Sequence, residues 1–163
     1  MLSEAERKEL DHEAEHYDYK QALTIEALKI VQNHRGWVSD EAIKDIAAYL
    51  ECDPAEVDSV ASFYNLIYRK PVGEHVIHLC TSVSCWIMGA DAVAEHIREK
   101  LGIGFGETTP DNKYTLVANQ CLGMCDHAPC LMASKQMFGD LEDLKKVDAL
   151  FETLQDKTAL KDS

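Results

Sequence analysis

Four of the six cysteines stand as two close pairs. Cys80 and Cys85 bracket Thr-Ser-Val-Ser, and thirty-five residues later Cys121 and Cys125 bracket Leu-Gly-Met. Each pair is short enough for both sulfurs to reach one metal ion, and the long insert lets the pairs arrive from separate loops of one fold. The chemistry this suggests is four thiolates around a [2Fe-2S] cluster, two sulfurs per iron, with sulfides bridging the irons. A zinc site of four cysteines also uses two pairs, but such pairs most often read C-x2-C, and neither pair here does. Disulfides would need an oxidising compartment, of which the sequence gives no sign. A plant-type ferredoxin would place a third cysteine at position 88, which is Met. A Rieske site would replace one pair by two histidines; with four thiols present, His127 is not needed as a ligand.

An oxidised [2Fe-2S] core with four thiolates carries a net −2, and reduction takes it to −3, so N–H donors and dipoles near the sulfurs are among what sets its potential. Gly123, inside the second pair, and Gly89, just after the first, let the backbone approach and offer N–H groups to sulfur. Asp126 beside Cys125 acts in the opposite sense, and His127 could hydrogen-bond nearby. Cys52 reads as a small buried hydrophobe, and Cys130, five residues past Cys125 at the start of a strand, reads as packing, with a ligand or a near-cluster thiol as its alternative. His12-Glu-Ala-Glu-His16 matches the letters of H-E-x-x-H. It lies in a stretch where acids and histidines recur by composition, so a solvated helix or arm is the better reading of residues 1–20.

The elements that must position these thiols follow from periodicity. A first core helix is expected over about residues 22–35, carrying Leu23, Ala27, Leu28, Ile30 and Val31 and closed by Gly36. Ser39 caps a second, with Ile43, Ile46, Ala47 and Leu50 on one face. Asp53-Pro-Ala-Glu56 starts a third with a cap, a first-turn proline and a capping-box-like pair. The aromatic-rich stretch Phe63, Tyr64, Leu66, Ile67 and Tyr68 is expected to be core. Beyond Pro71 the period changes. His75–Leu79 is a short strand delivering Cys80, and Val93, Ala94, Ile97 and Leu101 mark a helix whose N-terminus faces the first pair. Tyr114–Ala118 is a second strand, delivering Cys121. Cys130–Ala133 and Gln136–Phe138 form a hairpin around Ser134-Lys135, and a final helix carries Leu144, Val147, Leu150, Phe151 and Leu154. The expected class is α+β: a small helical bundle with an acidic arm over residues 1–71, then a thioredoxin-like layout over residues 72–163.

The net charge of −13, from 16 Lys and Arg against 29 Asp and Glu, argues against nucleic acid or anionic lipid as the main partner, since both need a basic face. The charged start does not read as a signal peptide, and no run approaches the roughly 18 apolar residues of a spanning helix. The expectation is a cytoplasmic protein that meets a membrane only through partners. Gly102-Ile-Gly-Phe-Gly106 is not a dinucleotide-binding fingerprint and reads as a turn.

The pattern resembles a known family: the 24-kDa-type [2Fe-2S] subunit of NADH:quinone oxidoreductase (complex I), called the E subunit in bacteria. The resemblance rests on Cys80 and Cys85, on Cys121-Leu-Gly-Met-Cys125 followed by Ala128-Pro129, on Ile25-Glu-Ala-Leu-Lys-Ile-Val-Gln with Arg35-Gly-Trp-Val, on Val60-Ala-Ser-Phe-Tyr64 and on Pro71-Val-Gly, and it runs from about residue 10 to residue 155. It implies an N-terminal helical bundle, a thioredoxin-like ferredoxin domain and one [2Fe-2S] cluster on Cys80, Cys85, Cys121 and Cys125. It also implies pairing with a flavoprotein subunit that binds FMN and NADH, among the other iron-sulfur subunits of a peripheral arm. Members of the family often carry a residue other than cysteine at the place of Cys130. Relatives serve as diaphorase subunits of NAD-linked hydrogenases and formate dehydrogenases, and a non-redox module held by structural zinc is the alternative of a different class.

Overall fold

The computed structural model describes residues 1–155; residues 156–163, which the sequence reading assigns to the second domain, lie outside them. The chain divides into two compact units, Met1–Pro71 and a second that begins at Val72.

The first unit is helical: α1 (Glu4–Ala14), a short 3-10 turn (Lys20–Leu23), α2 (Thr24–Arg35), α3 (Asp40–Leu50) and α4 (Pro54–Phe63). Local chemistry sets the ends. The Ser39 hydroxyl accepts the Ala42 N–H at 3.2 Å, Gly36 takes the left-handed conformation at φ 83° that ends α2, and Pro54 opens α4. The Asp53 carboxylate caps through the Ala55 N–H at 2.8 Å, one position earlier than a capping box would place it.

Two expectations are corrected here. Residues 4–14 form the expected helix, but it is not wholly solvated: Leu10 is fully buried in the core formed by Leu23, Leu28, Val31, Ile46 and Leu50, and Glu6 is buried too. The burial of Glu6 is made possible by two partners. Ser3 and Glu6 form a reciprocal capping box, with the Glu6 N–H on Ser3 Oγ at 3.2 Å and the Ser3 N–H on Glu6 Oε2 at 2.7 Å. Arg35 then donates from Nε to Oε1 at 2.6 Å and from Nη2 to Oε2 at 2.8 Å, a two-pronged pair that ties α1 to the end of α2. Second, the aromatic stretch is mostly surface rather than core. Phe63 is 81% exposed, Tyr64 and Leu66 are also exposed, and only Ile67 is buried. Phe63 is the last residue of α4 and lies off its buried Val57–Ala61 face, and from Tyr64 the backbone is extended, so the helical period does not carry the stretch inward.

The second unit runs β1 (His75–Cys80), α5 (Val83–Ile87), α6 (Ala90–Leu101), β2 (Tyr114–Asn119), a 3-10 turn (Cys125–His127), β3 (Leu131–Ala133), β4 (Gln136–Phe138) and α7 (Leu144–Gln155). The sheet order is β2-β1-β3-β4. β1 and β2 are parallel, joined by a crossover through α6, as parallel strands require. β3 and β4 add antiparallel, turning at Ser134 and Lys135, which both have positive φ. Alternation sorts the faces. Ile77, Leu79, Tyr114, Leu116, Leu131 and Ala133 share one core with Val93 and Ile97 of α6 and Val147, Leu150, Phe151 and Leu154 of α7. Each such buried aliphatic or aromatic side chain contributes about 1.5–3 kcal/mol. On the other face His78 is buried, and burial pushes its pKa down to about 4, which keeps the ring neutral.

The register positions the site. Cys80 lies opposite Asn119 in the parallel pair, so the segment with Cys80 and Cys85 and the segment with Cys121 and Cys125 leave adjacent strands at the same end of the sheet. The antiparallel pairing of Leu79 with Leu131 brings the residue before β3, Cys130, to that end as well.

Candidate metal centre

Cys80 closes β1, and the chain then turns at once into α5, a helix the sequence reading missed because five residues are too few to show a period. α5 carries Cys85 back toward Cys80, and both are buried at 1% exposure. Burial pushes the Cys80 thiol up, but N–H groups of Ser82 and Leu122 and the neighbouring thiols of Cys85 and Cys130 outweigh it, so its pKa falls below the usual thiol value. Cys85 moves the other way, pushed up by burial and by Cys80.

Cys121 and Cys125 are exposed, with their Sγ atoms 3.8 Å apart. That is about the separation of two sulfurs on one tetrahedral metal with bonds of about 2.3 Å. Gly123 between them has φ 80°, which bends the loop so that its N–H points at Cys121 Sγ from 3.4 Å. The Gly89 N–H, expected to serve the first pair, bonds the Trp86 carbonyl instead. The two thiol loops touch. The Thr81 N–H donates to the Asn119 carbonyl at 2.8 Å, the Leu122 N–H reaches Cys80, and the Ser84 hydroxyl meets the Cys125 thiol. Cys125 is pushed up first by Cys121 and also by Cys80, so both pairs act on one another electrostatically.

Behind Cys125, His127 bonds Asp140 through Nδ1 at 3.0 Å and lies 3.5 Å from Asp126 through Nε2; these carboxylates push its pKa up. Gly139 leaves room for this loop. A Cβ there would stand 2.6 Å from His127 Cβ and 2.7 Å from the His127 carbonyl oxygen. Gly139→Ala should therefore displace the turn that carries Cys125, costing about 1–3 kcal/mol of overpacking strain. The check is a lower thermal midpoint together with less iron per chain than the unaltered protein holds.

Sequence reading treats Cys130 chiefly as packing, and the structure places it more closely. Its thiol is 1% exposed and lies 3.7 Å from Cys85 Sγ, and the ligand atoms of Cys80, Cys85 and Cys130 all lie within 4.8 Å of one another. Among the described residues this is the one group of three or more metal-ligating side chains so close together; His12, Glu13 and His16 do not form such a group. The signal that would have found Cys130 is the pairing of β3 with β1, which no local pattern reveals. Cys52 belongs to the first unit, half-buried against its core.

The donor set fits the implied group. Soft thiolates are the ligands of iron–sulfur clusters and of zinc, and here they come with N–H donors on sulfur and an apolar lining of Ala90, Ala128, Leu122 and Met124. Similarity to known proteins decides between the two metals. A family model described as thioredoxin-like [2Fe-2S] ferredoxin matches residues 10–155. The E subunit of NADH-quinone oxidoreductase from Pseudomonas aeruginosa is 48% identical over 141 residues, covering 86% of this chain and 85% of the relative. Its counterpart in Escherichia coli strain K12 is 46% identical over 140 residues, covering 86% and 84%. Among solved structures, an NAD+-reducing [NiFe]-hydrogenase in the H2-reduced state aligns with TM-score 0.69 at 24% identity over 83% of this chain. That alignment spans 22% of the hydrogenase chain and shows a shared fold. One [2Fe-2S] cluster is the group this chain holds. Thiol loops gathered at one end of a small mixed sheet, together with relatives matched over most of their length, make this chain a member of the thioredoxin-like [2Fe-2S] ferredoxin family that includes the E subunits of NADH-quinone oxidoreductase.

Proposed function

We propose that the chain is an electron-transfer subunit of NADH:quinone oxidoreductase, exchanging electrons with the FMN of a partner flavoprotein through one cluster held by Cys80, Cys85, Cys121 and Cys125. The observation that carries this reading is the asymmetry of the site: one thiol pair is buried and the other is exposed at the same end of the sheet. When bound there, a [2Fe-2S] cluster supplies a one-electron couple. The chain's own part is to fix the thiols and to offset the added negative charge. The N–H groups of Ser82 and Leu122 on Cys80 and of Gly123 on Cys121 serve that purpose.

A partner face lies beside the site. Val83, Trp86, Ile87 and Met88 on and just after α5 are exposed, Ile87 by 70%, and they flank buried Cys85. Such a run of large apolar side chains next to a redox centre suits a permanent interface with another protein. No helix among the described residues is long and apolar enough to cross a membrane, and the proposed placement is cytoplasmic, peripheral to the inner membrane through the complex. The net charge of −13 fits a protein partner rather than nucleic acid.

The fold shared with an NAD+-reducing hydrogenase supports a second reading, a diaphorase subunit of a hydrogenase-type complex. Purification of the tagged chain from its native extract separates the two. Copurification with an FMN-containing, NADH-oxidising subunit and a quinone-reducing membrane arm is the expected result. A hydrogenase moiety in its place, or an isolated monomer, would overturn the proposal.

A further inference from the structure

We infer that Cys130 is a fifth, non-ligating thiol of the centre, which donates its S–H to the Cys85 sulfur and so raises the reduction potential of the cluster. The inference rests on the four-thiolate assignment proposed above. Its own ground is geometric. Cys130 Sγ lies 3.7 Å from Cys85 Sγ, within reach of a sulfur-to-sulfur hydrogen bond, and the thiol is only 1% exposed to solvent. The position is set by the sheet: the Cys130 carbonyl accepts the Cys80 N–H at 3.1 Å, and the next residue, Leu131, pairs with Leu79.

A metal-bound Cys85 sulfur has no proton to give, so Cys130 is the donor of the pair. Donation to a ligand sulfur withdraws charge from the iron. It favours the reduced state, which carries the greater negative charge, over the oxidised one.

The test uses the full chain with its cluster. Cys130→Ala, Cys130→Val and Cys130→Ser are compared by iron and sulfide content and by a potentiometric titration followed by electron paramagnetic resonance. Valine, somewhat larger than cysteine, leaves no cavity and cannot donate, so it serves if the alanine cavity unsettles β3. The expected result is a retained cluster in all three variants and a lower midpoint in the alanine and valine forms. At a fixed poise their reduced-to-oxidised ratio should fall about threefold, or about 28 mV at 59 mV per tenfold for one electron. Serine, which restores a hydroxyl donor, should recover most of the shift. An unchanged midpoint in both non-donors, or a serine form that behaves as they do, would overturn the inference. Loss of the cluster from both non-donors would also overturn it. That outcome, with a cluster retained by Cys121→Ser, would show instead that the four-thiolate assignment is wrong.

Discussion

Serine at position 85 or 121 should leave the chain without its cluster. The unaltered protein is expected to carry about two irons and two acid-labile sulfides per chain, with visible absorption and a paramagnetic signal on reduction. A serine hydroxyl is a hard ligand and is mostly protonated at neutral pH, so it is a poor replacement for a thiolate on iron. The two positions test different parts of the site. Cys85 is buried on α5, and its loss removes an anchor from the packed group of Cys80, Ala90, Ala128 and Cys130. Cys121 is exposed on a loop whose shape depends on Gly123 and on contacts with the first pair. Without a cluster to join them, the two loops keep only their hydrogen bonds, so the second unit should also unfold at lower temperature. Cys52→Ser should leave metal content and spectrum unchanged, because that thiol packs against the core of the first unit. A bleached Cys52 variant would overturn the ligand assignment. One zinc per chain with no visible colour would favour the structural-zinc reading.

Arg35→Met should destabilise the first unit by about 3–5 kcal/mol, because it strands the Glu6 carboxylate in a buried setting with Ser3 as its remaining partner. Denaturant unfolding at neutral pH measures this. The double variant Glu6→Gln with Arg35→Met should be less destabilised than Arg35→Met alone, since it removes the stranded charge along with its partner. The same pair predicts an acid limb. Arg35 first, and the Ser3 N–H after it, hold the Glu6 pKa down to about 2 against an ordinary value of 4.5. In the pH range between those values the unfolded chain binds a proton that the native state does not. The stabilisation is therefore complete above about pH 4.5 and is lost as pH falls toward 2, a total of about 3 kcal/mol. Glu6→Gln should flatten that part of the stability curve. A Glu6→Gln protein with the same acid limb as the unaltered chain would show that other carboxylates govern it.

Much of the architecture can be read from short stretches of the chain. Ser39, Asp53-Pro54 and Gly36 mark helix ends by chemistry confined to three or four residues, and the hairpin at Ser134-Lys135 needs only its flanking strands. The two cysteine pairs are equally local, since metal binding at spacings of four and three intervening residues depends on reach alone. Elsewhere burial overrode local pattern. Residues 4–14 look solvated because seven acids crowd the first twenty positions, yet the capping box and Arg35 let Glu6 enter the interior and carry Leu10 with it. Phe63, Tyr64 and Leu66 look like core by composition, but Phe63 ends α4 off its buried face and the backbone then leaves the helix, so all three stay exposed.

The primary structure alone placed soft sulfur donors in two close pairs, because residue type and spacing are properties of a few neighbouring positions. Which thiols meet, and which stay in contact with solvent, came from strand pairing across intervals of about forty to fifty residues. Parallel register put the second pair beside the first, and antiparallel register slid Cys130 under Cys85. Contacts of that range are fixed by how the whole sheet buries its apolar face, and no stretch of sequence near a cysteine records the outcome.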